Sequence, residues 1–199
     1  MPAYPSICLG TFDASLYDMV GAYSTFVNQG VWRSPQYLLR IEDKNGALIY
    51  QYNSVPKVVL NPEVAYVMVN MLKGTVQDGT GYRLRGTYRL MNPIGGKTGT
   101  TQNSSDGWWM GITPQLVTGV WTGFEDRAIH FTSTNQGDGS NSALPVFALF
   151  MKKVYADKSL KYTKGDFEVP KGGVKTVLDC GAYYKPDSAQ SELDERLGF

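Results

Sequence analysis

Apolar residues recur along this chain with two different periods. Leu16, Met19, Tyr23, Phe26 and Val27 follow helical spacing. Ser15 precedes them with Asp18 three residues on, the arrangement of a capping box, and Gly30 is placed to end the helix. Residues 37–41 and 47–52 read instead as strands, with Asn45-Gly46 between them as a hairpin signal. That pair is expected to form a surface flap or subsidiary sheet. A second helix is expected from Asn61 as cap and Pro62 as its first residue. It should bury Val64, Val67, Met68, Met71 and Leu72 and stop at Gly74. Strand patterns follow around Lys97, at 108–112 and at 116–124, joined by a polar stretch and by Pro114-Gln115. Such short connections imply an antiparallel meander. Residues 131–141 read as a loop, and Ser142 as the cap of a third helix carrying Leu144, Phe147, Met151, Val154 and Tyr155. The pattern predicts a mixed α/β (α+β) fold, an antiparallel sheet flanked by helices.

Composition narrows the function. A length of 199 residues suffices for one domain with a real core and a tail. A net charge of +1 gives no reason to expect nucleic acid or acidic lipid as a partner. No apolar run approaches the roughly 20 residues of a membrane helix, and Met1-Pro2-Ala3-Tyr4-Pro5 lacks the form of a signal peptide. Cys8 and Cys180 stand near opposite ends, so a disulfide framework or a metal site with the lone His130 is not expected. The cysteines read as small hydrophobes or bystanders.

One stretch carries candidate chemistry: Gly95-Gly96-Lys97-Thr98-Gly99-Thr100-Thr101. On a strand, Thr98 and Thr100 point the same way, and Lys97 and Gly99 the other. An edge strand there could pair with an extended peptide. The threonine hydroxyls would supply donors for a carboxylate and Lys97 a positive field. Gly95-Gly96-Lys97-Thr98 also has the form of the end of a phosphate-binding loop. That reading fails: its first glycine would fall at Met91, no apolar strand leads in, and Thr101-Gln102-Asn103 does not open a helix.

Lys-Thr-Gly is one of three signatures of penicillin-recognising active-site serine enzymes, and its surroundings extend the likeness. The chain resembles the second half of the transpeptidase domain of class A penicillin-binding proteins, from Pro5 through Tyr155. The pieces that carry the resemblance include Leu9-Gly10-Thr11, Met19-Val20-Gly21-Ala22-Tyr23 and Phe26-Val27-Asn28-Gln29-Gly30. Further on they are Gly79-Thr80-Gly81, Gly96-Lys97-Thr98-Gly99-Thr100-Thr101, Asp106-Gly107-Trp108 and Val117-Thr118-Gly119-Val120-Trp121. The resemblance implies the penicillin-binding transpeptidase and serine β-lactamase-like fold, with residues 1–157 as the C-terminal part of that domain. Residues 158–199 would be a linker or C-terminal tail. It implies catalytic roles for Lys97 and Thr100, and substrate binding by Thr98, Gly99, Thr100 and Thr101. The ligands it implies are a peptidoglycan stem peptide ending in D-Ala-D-Ala and the β-lactams that mimic it. It implies no metal or cofactor, and a place on the outer face of the cytoplasmic membrane. A Cβ at Gly99 is expected to obstruct the substrate's approach.

The family's Ser-x-x-Lys and Ser-x-Asn motifs should precede Lys-Thr-Gly. Ser54-Val55-Pro56-Lys57 fits the first literally, yet the nucleophile must open a helix, and the residue before a proline is biased away from helix. Ser133-Thr134-Asn135 fits the second in the wrong order. The expectation is therefore an inactive fragment whose nucleophile lies on a missing N-terminal half, prone to self-association through uncovered apolar faces. The competing reading is a non-catalytic peptide-binding or assembly module. Among other candidates, His130 reads as structural or exposed, Asp106 as ordering a turn, and Trp108, Trp109 and Trp121 as core rather than cleft wall. Arg83, Arg85 and Arg89 read as a solvated basic face, and Thr80 as lining the cleft entrance.

Overall fold

The computed structural model describes residues 5–10, 12–162 and 165–179. Thr11 and Cys180 lie outside them, and so does the tail from 180 onward. After a short 3-10 turn, Pro5–Leu9, come α1 (Leu16–Val27), β1 (Val31–Trp32), β2 (Arg40–Glu42), β3 (Leu48–Gln51) and β4 (Lys57–Val58). Then follow α2 (Pro62–Gln77), α3 (Arg83–Gly86), β5 (Gly95–Thr100), β6 (Asp106–Ile112) and β7 (Val117–Gly123), with α4 (Thr134–Gly137) and α5 (Ala143–Ala156) last.

The expected meander is present. β5, β6 and β7 form an antiparallel sheet in that order, with Thr98 opposite Trp109 and Met110 opposite Gly119. Glycines on opposite faces show what covers it. A Cβ on Gly111 would meet Phe147 of α5 at 2.4 Å, and one on Gly119 would meet Leu16 of α1 at 2.6 Å. The sheet is thus sandwiched, and two cores result. Trp109, Leu144, Phe147 and Met151 build the α5 side; Val69, Leu72, Ile112 and Phe167 build the other. α2 runs beside β5 closely enough that a Cβ on Gly95 would lie 2.9 Å from the Leu72 backbone. Leu72 serves one core and Val76 the other.

Several details differ from expectation. α1 has its Ser15 cap, with the Asp18 N–H donating to Ser15 Oγ at 3.1 Å. α2 has its Asn61 cap, with the Glu63 N–H donating to Asn61 Oδ1 at 2.8 Å. The face buried by α2, however, is Ala65, Val69, Leu72 and Val76, while Val64 and Met71 are exposed. Gly74 lies inside this helix, which runs on to Gln77. Ser142 does not cap α5 with its side chain; its hydroxyl donates to the Asp138 carbonyl at 2.9 Å and accepts from Thr122. The 131–141 loop holds the short α4.

The hairpin is shorter than its pattern, and every residue of β2 and β3 is exposed, as befits a flap. Its turn starts at Asp43, whose carboxylate accepts from the Asn45 and Ala47 N–H groups, and Gly46 takes the left-handed conformation (φ +83°). Arg83 and Arg85 are no solvated face. Arg83 donates to the Ser140 carbonyl at 2.9 Å and to Asn141, and Arg85 to the carbonyls of Leu90 and Asn92. Burial lowers the pKa of the Arg85 guanidinium, partly offset by Tyr155. Residues past α5 return to α2: Phe167 is buried against it, and Lys73 pairs with Asp166 at 2.8 Å.

Candidate active site

The site is built on β5, an outer strand of its sheet. Hydrogen bonding fixes which way its backbone faces. The Thr101 N–H donates inward to Asp106 O at 3.2 Å, whereas the Gly96 carbonyl accepts outward from the Thr75 hydroxyl of α2. Strand groups alternate, so the N–H and C=O of Thr98 and Thr100 face away from β6. These are the groups an incoming peptide would meet.

Three side-chain arrangements surround that edge. Lys97 is exposed and its ammonium donates to the Thr98 carbonyl at 2.8 Å. The Thr98 hydroxyl shares a hydrogen bond with the Thr80 hydroxyl at 2.9 Å. Thr100 Oγ1 accepts from the Gly139 N–H at 3.2 Å. Gly139 can lie there only because it has no Cβ, which would stand 2.3 Å from Trp108 O and 2.6 Å from Gly99 O. Arg83 holds this loop from behind through Ser140 and Asn141.

Two residues of the motif are placed differently. The Thr101 hydroxyl is 2.8 Å from Ser105 Oγ and accepts from the Asp106 N–H, so it works within the β5–β6 connection. Gly99 pairs with Trp108, and a Cβ there would meet the Trp108 Cβ at 3.1 Å. On this face the absence of a Cβ leaves room for Trp108.

Trp109 is core, Trp108 is half-buried and Trp121 is exposed, so the expectation of core fails for Trp121. Trp121 lies on the outer strand β7, where no further strand covers it among the described residues; its indole N–H donates to Asp106 Oδ2 at 3.1 Å. The Asp106 carboxylate thereby ties β6 to β7, whereas the β5–β6 turn is held by the Asp106 backbone groups, a departure from the expected side-chain ordering of the turn. His130 is exposed, with Nδ1 2.9 Å from Phe131 O. Ser54 and Lys57 lie on an extended segment leading into β4, not on one face of a helix. Ser133 precedes α4. Among the described residues no cluster of His, Cys, Asp or Glu is placed to hold a metal ion, and no helix is long and apolar enough to cross a membrane. Gly139 was invisible to sequence reasoning because its partner Thr100 is 39 positions away; Thr80 was visible only as the centre of a Gly-Thr-Gly triplet.

A transpeptidase fold with a Lys-Thr-Gly strand at its edge defines the class. The chain belongs to the penicillin-binding protein transpeptidase family, whose model (Penicillin binding protein transpeptidase domain) matches residues 5–152. Penicillin-binding protein 1A of Aquifex aeolicus (strain VF5) is 33% identical over 167 residues, covering 84% of this chain and 22% of that protein. Penicillin-binding protein 1B of Haemophilus influenzae is 30% identical over 158 residues, covering 79% of this chain and 20% of that protein. The crystal structure of Penicillin-Binding Protein 1A from Haemophilus influenzae superposes with a TM-score of 0.72 at 22% identity, over 85% of this chain and 30% of that one. The chain therefore spans about a fifth of the length of these curated relatives.

Proposed function

We propose that this chain supplies one wall of a peptidoglycan D,D-transpeptidase site, with residues 1–157 as the C-terminal part of the domain and 158–199 as a tail. The observation that carries the reading is the outward-facing backbone of Thr98 and Thr100 beside the Lys97 ammonium. Thr98 and Thr100 bind the terminal carboxylate of a stem peptide ending in D-Ala-D-Ala, or of a β-lactam. The Thr100 N–H is one oxyanion donor, and loss of such a donor costs roughly 3–4 kcal/mol of transition-state stabilisation. Lys97 sets the local positive field and the protonation of the nucleophile's surroundings. Gly99 keeps the strand flat against Trp108, and Thr101 fixes its far end. The attacking serine and its lysine come from the N-terminal half of the domain, at the outer face of the cytoplasmic membrane.

The chain alone is then inactive. Labelling with a fluorescent penicillin, resolved on a denaturing gel beside an intact family member, should give a band for that control and none for this chain. A covalent band mapping to Ser54 would overturn the assignment. Supplying the N-terminal half in trans should restore the band; if it does not, the reading as a non-catalytic peptide-binding or assembly module replaces this one.

Missing partners also leave apolar surface. Val146, Leu149 and Phe150 form an exposed stripe on α5, and Leu39, Ile49 and Val55 are exposed around the hairpin. Isolated chains should self-associate in sedimentation velocity, whereas a monodisperse monomer would count against the missing half.

A further inference from the structure

We infer that Thr80 is a positioning residue of the carboxylate site, acting through Thr98, and that it makes the site specific for a free C-terminal carboxylate. The inference rests on the transpeptidase reading above.

Thr80 is held where it is by the local chain. α2 ends in a tight wrap in which the Gly79 and Gly81 N–H groups both donate to the Thr75 carbonyl, at 3.1 and 2.9 Å. A Cβ on Gly79 would stand 2.9 Å from Thr75 Cα, and one on Gly81 2.9 Å from the Trp109 ring. Neither flanking position accepts a side chain, so the triplet must press against α2 and the core, and Thr80 is left facing β5. Its hydroxyl meets that of Thr98 at 2.9 Å, while Thr80 itself stays exposed to an incoming ligand.

Two hydroxyls in contact have two protons, and only one is used between them. The second remains for a ligand, and the hydrogen bond behind it polarises that donor. An anionic oxygen at the edge would favour the arrangement in which Thr80 donates to Thr98 and Thr98 donates to the ligand. Without Thr80 the Thr98 hydroxyl has no fixed rotor, and ordering it must come out of the binding free energy. A neutral amide terminus gains much less from a polarised donor than a carboxylate does. The pair therefore discriminates between the two.

The test uses the full 199-residue chain with two probes: an acetylated tripeptide ending in D-Ala-D-Ala, and the same peptide as its C-terminal amide. Affinities come from NMR titration of the backbone amides of β5. The wild-type chain should prefer the acid. Thr80→Val, which keeps the shape and removes the hydroxyl, should weaken acid binding by about fivefold. It should leave amide binding unchanged, and Thr80→Ser should restore the acid preference. In a Thr98→Val background Thr80→Val should have no further effect, because the two act in series. An unchanged preference in Thr80→Val would overturn the inference while leaving the transpeptidase reading standing. Equal loss for acid and amide would mark Thr80 as merely structural and also overturn it. A wild-type chain that does not prefer the acid would bring down the carboxylate wall of the proposed function, and this inference with it.

Discussion

The Thr75 hydroxyl of α2 donates to the Gly96 carbonyl of β5, on the strand edge that β6 leaves unpaired. This bond does what a further strand would otherwise do at that point: it satisfies a carbonyl of a buried residue. It also sets the spacing between α2 and the Lys-Thr-Gly segment, so the end of α2 can deliver Thr80 to Thr98.

Removing that hydroxyl should be costly out of proportion to its size. Thr75→Val leaves the Gly96 carbonyl without this partner, and an unsatisfied buried acceptor costs about 1–3 kcal/mol. Urea denaturation followed by tryptophan fluorescence should show a lower midpoint with unchanged slope. Thr75→Ser should recover most of the loss. A midpoint equal to wild type would mean that solvent satisfies the carbonyl.

Glycines make a sharper contrast. A Cβ on Gly96 would stand 2.4 Å from the Trp109 ring and 2.6 Å from Met110 O, so Gly96→Ala must displace the core or the strand. Overpacking of that kind costs at least about 1–3 kcal/mol. Gly74 is the reverse case, because nothing lies within 4 Å of a Cβ there and the residue sits inside α2. Gly74→Ala should stabilise by about 0.5–1 kcal/mol through helix propensity alone. Thermal melts of the two variants should move in opposite directions.

These residues show what the sequence could carry. The antiparallel meander of β5, β6 and β7 was legible, because strand periodicity and short turns are local signals, whereas the edge position of Lys97-Thr98-Gly99 is fixed only by the sheet order. α5 was legible as well, since Leu144, Phe147, Met151 and Val154 are large and all face one way. α2 misled because Val64 and Met71 are more hydrophobic than Ala65, yet the face turned inward carries Ala65, Val69, Leu72 and Val76, with Leu72 against Gly95. The approach of Leu72 to Gly95 joins two elements distant in sequence and has no local signature. The same holds for Gly139 on Thr100, and for Arg83 turned inward to Ser140 rather than outward to solvent.

Phe167 lies beyond the part of the chain that matches the family, yet it completes a core with Val69, Leu72 and Ile112. It is 6% exposed, and Lys73 stands over its ring at 5.8 Å. Truncating a buried phenylalanine costs about 3 kcal/mol or more. Phe167→Ala should therefore lower the urea midpoint clearly, and limited proteolysis should cut the 165–176 segment sooner. If the variant melts with wild type, that segment lies on α2 without contributing to its stability.

Two carboxylates make the attachment of that segment pH-dependent. Glu63 Oε1 accepts from the N–H groups of Lys175 and Thr176 and from the Thr176 hydroxyl. The Thr176 and Lys175 backbone donors, with the Thr176 hydroxyl, hold the Glu63 carboxyl below its usual range. At Asp166 partial burial pushes the pKa up, but the Lys73 ammonium and the Phe167 N–H outweigh it, and the net shift is again downward. Groups with depressed native pKa contribute stability that is fully present above their unfolded values, about 4, and is lost as pH falls through the native ones. Wild type should be more stable than the Glu63→Gln, Asp166→Asn double variant at pH 7. The difference should close as pH drops below about 4, where the wild-type carboxylates take up protons. Melts of both proteins between neutral and acid pH would show this convergence. Parallel pH profiles would mean that the 165–176 segment is held by Phe167 alone, with the charges of Glu63 and Asp166 playing no part.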